Sequence, residues 1–380
     1  MSYGIRRIAG FALAGAALLL TWMLLPSAQT AGASGSTATC LGKPVDPQFI
    51  GTGRDDIIVG TPGNDVINGY NGNDTIDGGG GDDLICGGKG NDIIQGGAGN
   101  DHITGITGND TLVGDFIDPS NVTKAAGADG NDIIEGGSGD DIVVGDEFND
   151  QGGTVSGDGN DTLTAGSGDD IVVGDAYSPG DGASNQGTAT GSGKDSLDSG
   201  PGNDTLVGDA LAVTSATGTG KDNIEGEPGE DLLVGDADVT GAGTAKGGGN
   251  DAFFGDAGAD LIVGDSYAPK GDATGAGNDK GTGGSGNDTI VGDDAAGREA
   301  SGSGGADQFL GDRQDDTFYG DQMALKQGAV LKGGGPDILR GGKSNDTFAD
   351  AGPGRDTCQG GTGKDVDKSK PPCEVPSNIP

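Results

Sequence analysis

The residues that could do chemistry here are aspartates, and they return at a fixed interval. From Gly51 a nine-residue frame reads GTGRDDIIV, GTPGNDVIN, GYNGNDTID, GGGGDDLIC, GGKGNDIIQ, GGAGNDHIT and GITGNDTLV. Its sixth position holds Asp56, Asp65, Asp74, Asp83, Asp92, Asp101 and Asp110. The column continues through Asp132, Asp141, Asp161, Asp170, Asp195, Asp204, Asp222, Asp231, Asp251 and Asp260, then Asp279, Asp288, Asp307, Asp316, Asp337, Asp346, Asp356 and Asp365. If successive turns stack, each carboxylate lies over another, and two unit charges ~5 Å apart repel by about 0.8 kcal/mol in water and several-fold more at a protein surface. A divalent ion between the turns reverses that sign. Calcium suits the ligands best, because it takes several hard oxygens in tolerant geometry and a glycine turn can offer carbonyls beside the carboxylate. Zinc and copper would want His or Cys, and the chain has one His and four Cys. Magnesium keeps its waters and prefers few protein ligands. The plainer reading is that Gly-Asn-Asp and Gly-Asp-Asp are turn formers. Such turns would accept Asn, Ser or Gly at the sixth position, and none occurs in the 25 units of the array. The second aspartate of V-G-D, as in Asp146, Asp175, Asp209, Asp236 and Asp265, is a weaker ligand candidate, against a solvated or turn-capping role.

The elements that would position this column follow from the rest of the frame. A glycine-rich half makes a turn and a D-x-U-x half makes a short strand whose eighth residue points inward. That residue is Ile58, Ile67, Ile76, Ile85, Ile94, Ile103 and Leu112 in the first run, the expected core. Position 4 is Gly in these units except at Arg54, as a backbone needing φ > 0 requires. From Gly114 long units opening G-D alternate with ordinary ones; the long units start at Gly114, Gly145, Gly174, Gly208, Gly235, Gly264, Gly292 and Gly320. All fall on even numbers counted from Gly51. If two units make one coil, every insertion leaves the roll on the same edge. The inserts open on an apolar residue, as at Phe116, Phe148, Tyr177, Leu211, Val239, Tyr267 and Met323, and close on runs such as Thr188-Ala189-Thr190. They are expected to be short hairpins stacked as a second ribbon; independent flexible flaps are the alternative. The predicted fold is an all-β parallel β-roll, or β-helix solenoid, of nonapeptide repeats with hairpin-like inserts along one edge. At about 4.8 Å per coil, some twelve coils give a rod of ~60 Å.

The repeats resemble the RTX, or haemolysin-type, calcium-binding nonapeptide family, and the similarity covers residues ~51 to ~368. The resemblance implies a parallel β-roll with calcium in its turns, held by the sixth-position carboxylates and turn carbonyls, and folding that waits for calcium outside the cytoplasm. The chain departs from many such proteins by carrying an N-terminal export signal, and by lacking the catalytic or pore-forming domain that often precedes the repeats. Locally, Gly281 and Asp367 replace the apolar eighth residue and Gly302-Ser303 blurs a turn, so those units are expected to be weaker.

Composition agrees with a thin-cored solenoid. Glycine makes up 84 of 380 residues and only 32 % are hydrophobic, too few for one large core but enough for one apolar column. A formal charge of −39 would also fit an acidic disordered chain, but disorder rarely keeps a fixed register. The same charge disfavours nucleic acid. Arg6 and Arg7 before the apolar run Ile8 to Leu25, then Ala31-Gly32-Ala33, read as a signal peptide, with an uncleaved membrane anchor as the alternative. The expected organisation is 1–33 signal peptide, 34–50 N-terminal cap or linker, 51–113 regular repeats, 114–349 repeats with alternating inserts, and 350–380 terminal repeats with a C-terminal cap. Cys40 and Cys86 fall near one end of the rod and Cys358 and Cys373 near the other. Since a disulfide needs Cα atoms within ~7 Å, Cys40–Cys86 and Cys358–Cys373 are the feasible pairs, with free thiols the alternative.

His102 lies at position 7, the outward strand face, and no serine has Gly two residues to each side. A periodic carboxylate ladder also lacks the asymmetry that glycosidase chemistry needs. The expected protein is therefore a secreted or surface-associated, non-catalytic roll that binds several Ca2+ ions and serves as a structural or adhesive module, with any cell-surface or matrix partner on the insert edge. An extracellular hydrolase with a site between inserts is the main alternative. An ice-binding roll is a lesser one, since position 3 of the first run has one Thr in seven.

Overall fold

The computed structural model describes residues 38–117, 129–180, 187–302, 304–326, 330–332, 334–350, 355–368 and 373. The expected export segment lies outside them, and among the described residues no helix is long and apolar enough to cross a membrane. Strands of odd-numbered units pair into one 13-stranded sheet, from Ile57–Thr61 to Val366–Asp367. Those of even-numbered units pair into a facing 12-stranded sheet, from Val66–Asn71 to Thr357–Gln359. Two units therefore make one coil. Every ladder is parallel except the N-terminal Thr39–Cys40 with Lys43–Pro44.

The two sheets meet through the eighth-position residues. Ile67, Ile85, Ile103, Ile134, Leu163, Leu197 and Ile224 stand in register along one sheet, and Ile76, Ile94, Leu112, Val143 and Val172 along the other, all with 1 % exposure or less. Phe49 covers the first end of this column, and Cys358 and Cys373 belong to it at the other. Both expected disulfides are present, Cys40–Cys86 with Cα atoms 5.7 Å apart and Cys358–Cys373 with 5.8 Å. Position 2 of the turns takes the left-handed backbone: Gly79, Gly88 and Gly97 have φ of 104°, 125° and 108°. Tyr70 and Ile106 occupy the same position with φ of 76° and 86°.

The gap expected at Gly281 is filled by its neighbours. Gly281 stands in register between Phe253 and Phe309, which replace the usual aliphatic residue with a ring. Asp367, at the last coil, is half-buried, and its Oδ2 accepts the Cys373 amide.

All inserts leave from the turn joining an odd strand to the following even strand, so they share one edge. The hairpin expectation needs correction. The two strands of an insert do not pair with each other. The first joins an eight-stranded parallel sheet, from Phe116–Ile117 to Gln322–Ala324, and the second a seven-stranded one, from Thr154–Ser156 to Val330–Lys332. The physical reason is the stacking already imposed by the roll: each insert starts one coil-height above the last, so its open backbone groups find the next insert in register before they find each other. The result is a second, narrower roll. Its interior holds mostly alanine midway, where Ala176, Ala210 and Ala237 pack with Ala189, Ala216 and Ala245, and buried Glu147, Ser266, Asp294 and Gln322 continue the same column in register. Its first sheet packs Phe148, Tyr177, Leu211 and Tyr267 against Val144, Val173, Val207 and Val234 of the main roll. This explains why the intervening strands read I-V-V or L-L-V, since strands covered on both faces become continuous apolar runs. Before the inserts begin, the equivalent Ile57 and Val59 are 74 % and 59 % exposed.

Candidate metal centre

Each sixth-position aspartate sits at the junction of a turn and the strand it feeds, where its backbone and carboxylate serve different coils. The amide of Asp74 donates to Asp92 Oδ1 at 2.8 Å, and that of Asp92 donates to Asp110 Oδ1 at 2.7 Å. The same bond repeats from Asp110 to Asp141, Asp170 to Asp204 and Asp231 to Asp260 along the plain edge. It runs from Asp83 to Asp101, Asp132 to Asp161, Asp195 to Asp222 and Asp279 to Asp307 along the insert edge. One column in the sequence is thus two ladders in space.

This bond uses one carboxylate oxygen. The other, Oδ2, is buried and meets no hydrogen-bond donor in any sixth-position aspartate except Asp56, Asp65 and Asp356. At the open end of the roll Asp56 and Asp65 instead accept Thr52 and Thr61. In most units that open on glycine Oδ2 points at that glycine, whereas Ala165 and Ser199 open the units of Asp170 and Asp204. A Cβ at Gly78 would stand 2.6 Å from Asp83 Oδ2 and against the carbonyl of Gly96 in the next coil; Gly136 faces Asp141 Oδ2 and the Ala165 carbonyl in the same way. At these turns a carboxylate oxygen of one coil and a carbonyl of the next therefore converge on a space that a side chain at the glycine would fill, an all-oxygen donor set that fits calcium.

Electrostatics report the same strain. Burial pushes the carboxyls of Asp83 and Asp110 up to about 7, and those of Asp132 and Asp141 up to about 8, against the amide bonds that pull the other way. Asp161 rises to about 10, first through burial and then through Asp146, Asp195 and Asp132. A buried carboxylate without a counter-charge is costly, so these groups hold a proton or require a cation.

The V-G-D aspartates are buried, which removes a solvated role. Asp146, Asp175, Asp209, Asp236 and Asp265 are fully enclosed and cap the fourth-position glycine amides. Gly159 donates to Asp146 Oδ2 at 3.0 Å, Gly220 to Asp209 Oδ2 at 2.7 Å, and Gly277 to Asp265 Oδ2 at 3.0 Å. Asp115, Asp293 and Asp321 repeat the role at the remaining inserts and were legible from the same V-G-D or Y-G-D signature. His102 lies on the outward face as expected, half-buried, 3.7 Å from Glu135. Buried carboxylates with no signal in the repeat include Glu147 and Asp294 of the first insert sheet, whose carboxylates accept the Ser156 and Gly275 amides, and Asp238, which stands between Leu211 and Tyr267 there with no hydrogen-bond partner for either oxygen.

Fold and site together define a class of protein, a parallel solenoid whose glycine turns bury regularly spaced carboxylates and carbonyls around space for hard cations. The sequence matches the family described as RTX calcium-binding nonapeptide repeat (4 copies), over residues 50–85, 87–116, 125–151, 155–176, 189–210, 214–239, 247–266, 274–296, 300–322 and 333–367. The chain belongs to that family. No curated protein matches the chain.

Proposed function

We propose that this protein is an exported, calcium-stapled β-roll with no catalytic role, acting as a rigid structural or adhesive module outside the cell. The observation that carries the reading is the row of buried, unpartnered Oδ2 atoms on both edges. The sixth-position aspartates from Asp56 to Asp365 would hold the ions together with turn carbonyls; bound calcium would supply the positive charge that lets these carboxylates ionise inside the roll. Folding and binding are then one process, because the carboxylates meet only in the folded coil. Export is supported by the two disulfides, which persist in oxidising compartments, and by the signal-like residues 1–33. We assign 34–50 to the N-terminal cap, 51–113 to the uninterrupted roll, 114–349 to the roll with its insert sheets, and 350–380 to the terminal coils and cap.

The adhesive part of the reading draws on the second insert sheet. Thr154, Ser156, Thr190, Thr244 and Lys246 lie exposed on one face of it in parallel register, a flat polar surface for a cell-surface or matrix partner. The direct test counts bound calcium by equilibrium dialysis for the mature chain and for a triple variant, Asp141→Asn, Asp170→Asn and Asp204→Asn, on the plain edge. The reading expects fewer ions and weaker binding in the variant. An unchanged count would overturn it.

A further inference from the structure

We propose that the insert edge carries its own column of divalent-cation sites, each formed by the V-G-D aspartates of two successive inserts and the sixth-position aspartate between them. The inference rests on the calcium reading above and adds ligands that lie outside the repeated nonapeptide frame. Asp146, Asp161 and Asp175 place one carboxylate oxygen each within 4.8 Å of the others, and Asp175, Asp195 and Asp209 do the same one coil further on. Asp175 belongs to both groups, so the sites form a chain bridged by shared carboxylates.

A second observation makes this more than an acidic cluster. Asp146 Oδ1, Asp161 Oδ2, Asp175 Oδ2 and Asp195 Oδ2 are all enclosed and reached by no donor, although their residues are at most 2 % exposed. Capping the glycine turn does not account for them. The Gly159 amide occupies Asp146 Oδ2 and Asp175 Oδ1, at 3.0 and 3.2 Å, and leaves the opposite oxygen of each aspartate buried without a donor. The ion pairs that arginine and lysine make among the described residues lie elsewhere, at Arg298–Asp272 and Lys332–Glu299. Three carboxylates converge with no protein cation, and a mobile cation is what completes them.

Among the described residues the plain edge has no buried triad of this kind, and the group that meets there, Glu225, Glu227 and Asp256, is half-buried to exposed. Asp141, Asp170 and Asp204 form a single carboxylate column there, with no V-G-D partner beside it. Ligand charge is one of the levers that set calcium affinity, so the insert edge should hold the tighter ions. It would also tie each insert to the main roll, since one ligand comes from the start of the insert and another from its return to the roll.

Calcium itself is the probe, on the full mature chain. Asp175→Asn keeps the shape and the glycine cap but removes the carboxylate shared by two sites. The expected result is a loss of about two tightly bound ions per chain, with at least tenfold weaker binding there, whereas Asp170→Asn removes only weaker ones. Asp175→Asn should also raise the calcium concentration at which β structure appears, while in saturating calcium its far-ultraviolet spectrum matches that of the unaltered chain. A purely structural Asp175 predicts an unchanged ion count and an unchanged calcium midpoint for folding, which would overturn the proposal. Asp265→Asn repeats the measurement at a later insert; failure of both variants to fold even in saturating calcium would count as the structural result. If the unaltered chain takes up no calcium, the reading of the whole roll fails; if it does and Asp175→Asn takes up as much, only the insert-edge sites fail.

Discussion

Phe253 and Phe309 belong to coils on either side of Gly281, yet their ring centroids lie 6.3 Å apart, because the glycine between them leaves the space that the two rings share. A missing core side chain is thereby compensated along the column rather than within its own unit. Truncating a buried Phe typically costs about 3–5 kcal/mol. Phe253→Ala in saturating calcium should fall in that range by denaturant unfolding, and it should couple non-additively with Phe309→Ala. A loss under about 1 kcal/mol for the single variant would show that Gly281 is not spanned in this way.

Ile106 carries a strained backbone that its neighbours avoid. A β-branched residue at φ 86°, 43 % exposed, occupies a position that Gly79, Gly88 and Gly97 fill elsewhere. Left-handed conformations cost a non-glycine residue of order 1–2 kcal/mol. Ile106→Gly should therefore raise stability by about 1 kcal/mol, after the added chain entropy of glycine is offset. A destabilised variant would mean that the Ile106 side chain contributes packing that outweighs the strain.

Among the described residues Asp238 is the one carboxylate buried in an apolar column with neither oxygen hydrogen-bonded, and burial raises it to about 8, with Lys270 pulling the other way. Replacing an unsatisfied buried polar group by an apolar one of similar size removes a penalty of about 1–3 kcal/mol. Asp238→Leu, matching Leu211 in the preceding insert, should raise the unfolding midpoint at neutral pH. A lowered midpoint would assign Asp238 a ligand or partner.

Much of this was legible in the sequence, for a physical reason: a solenoid repeats its environment, so one residue type per position suffices to announce the turn, the core column and the carboxylate row. Parity alone put the inserts on one edge, and the distance between rod ends alone chose the cysteine pairs. What stayed hidden were relations between coils. Thr188–Thr190 and Ala176–Ser178 looked like two arms of a hairpin because they are close in sequence, but their partners are Ser215–Thr217 and Ala210–Ala212, one coil away. The compensation at Gly281 and the burial of Asp238 are likewise set by neighbours some 28 residues distant.

The cation-free chain should depend on pH in the sense opposite to most acid-labile proteins. Asp92 and Asp204 rise to about 6, Asp83 and Asp170 to about 7, and Asp141 and Asp231 to about 8, chiefly through burial. A carboxyl whose pKa is raised on folding keeps its proton longer in the folded state, so stability is greatest below about 4 and is lost as pH rises through about 6 to 8. In chelator, β structure measured by circular dichroism should decline over that window. A signal that grows toward pH 8 without calcium would contradict the burial of these groups. With calcium present the trend reverses, since binding releases the protons and tightens as pH rises.

The central claim is that calcium and the folded roll require one another. The most direct measurement is far-ultraviolet circular dichroism of the mature chain at neutral pH, first with a chelator and then with millimolar calcium. The account predicts a poorly ordered chain in chelator that gains strong β signal when calcium is added and loses it again on removal. A spectrum that is already fully β in chelator and does not change with calcium would contradict it.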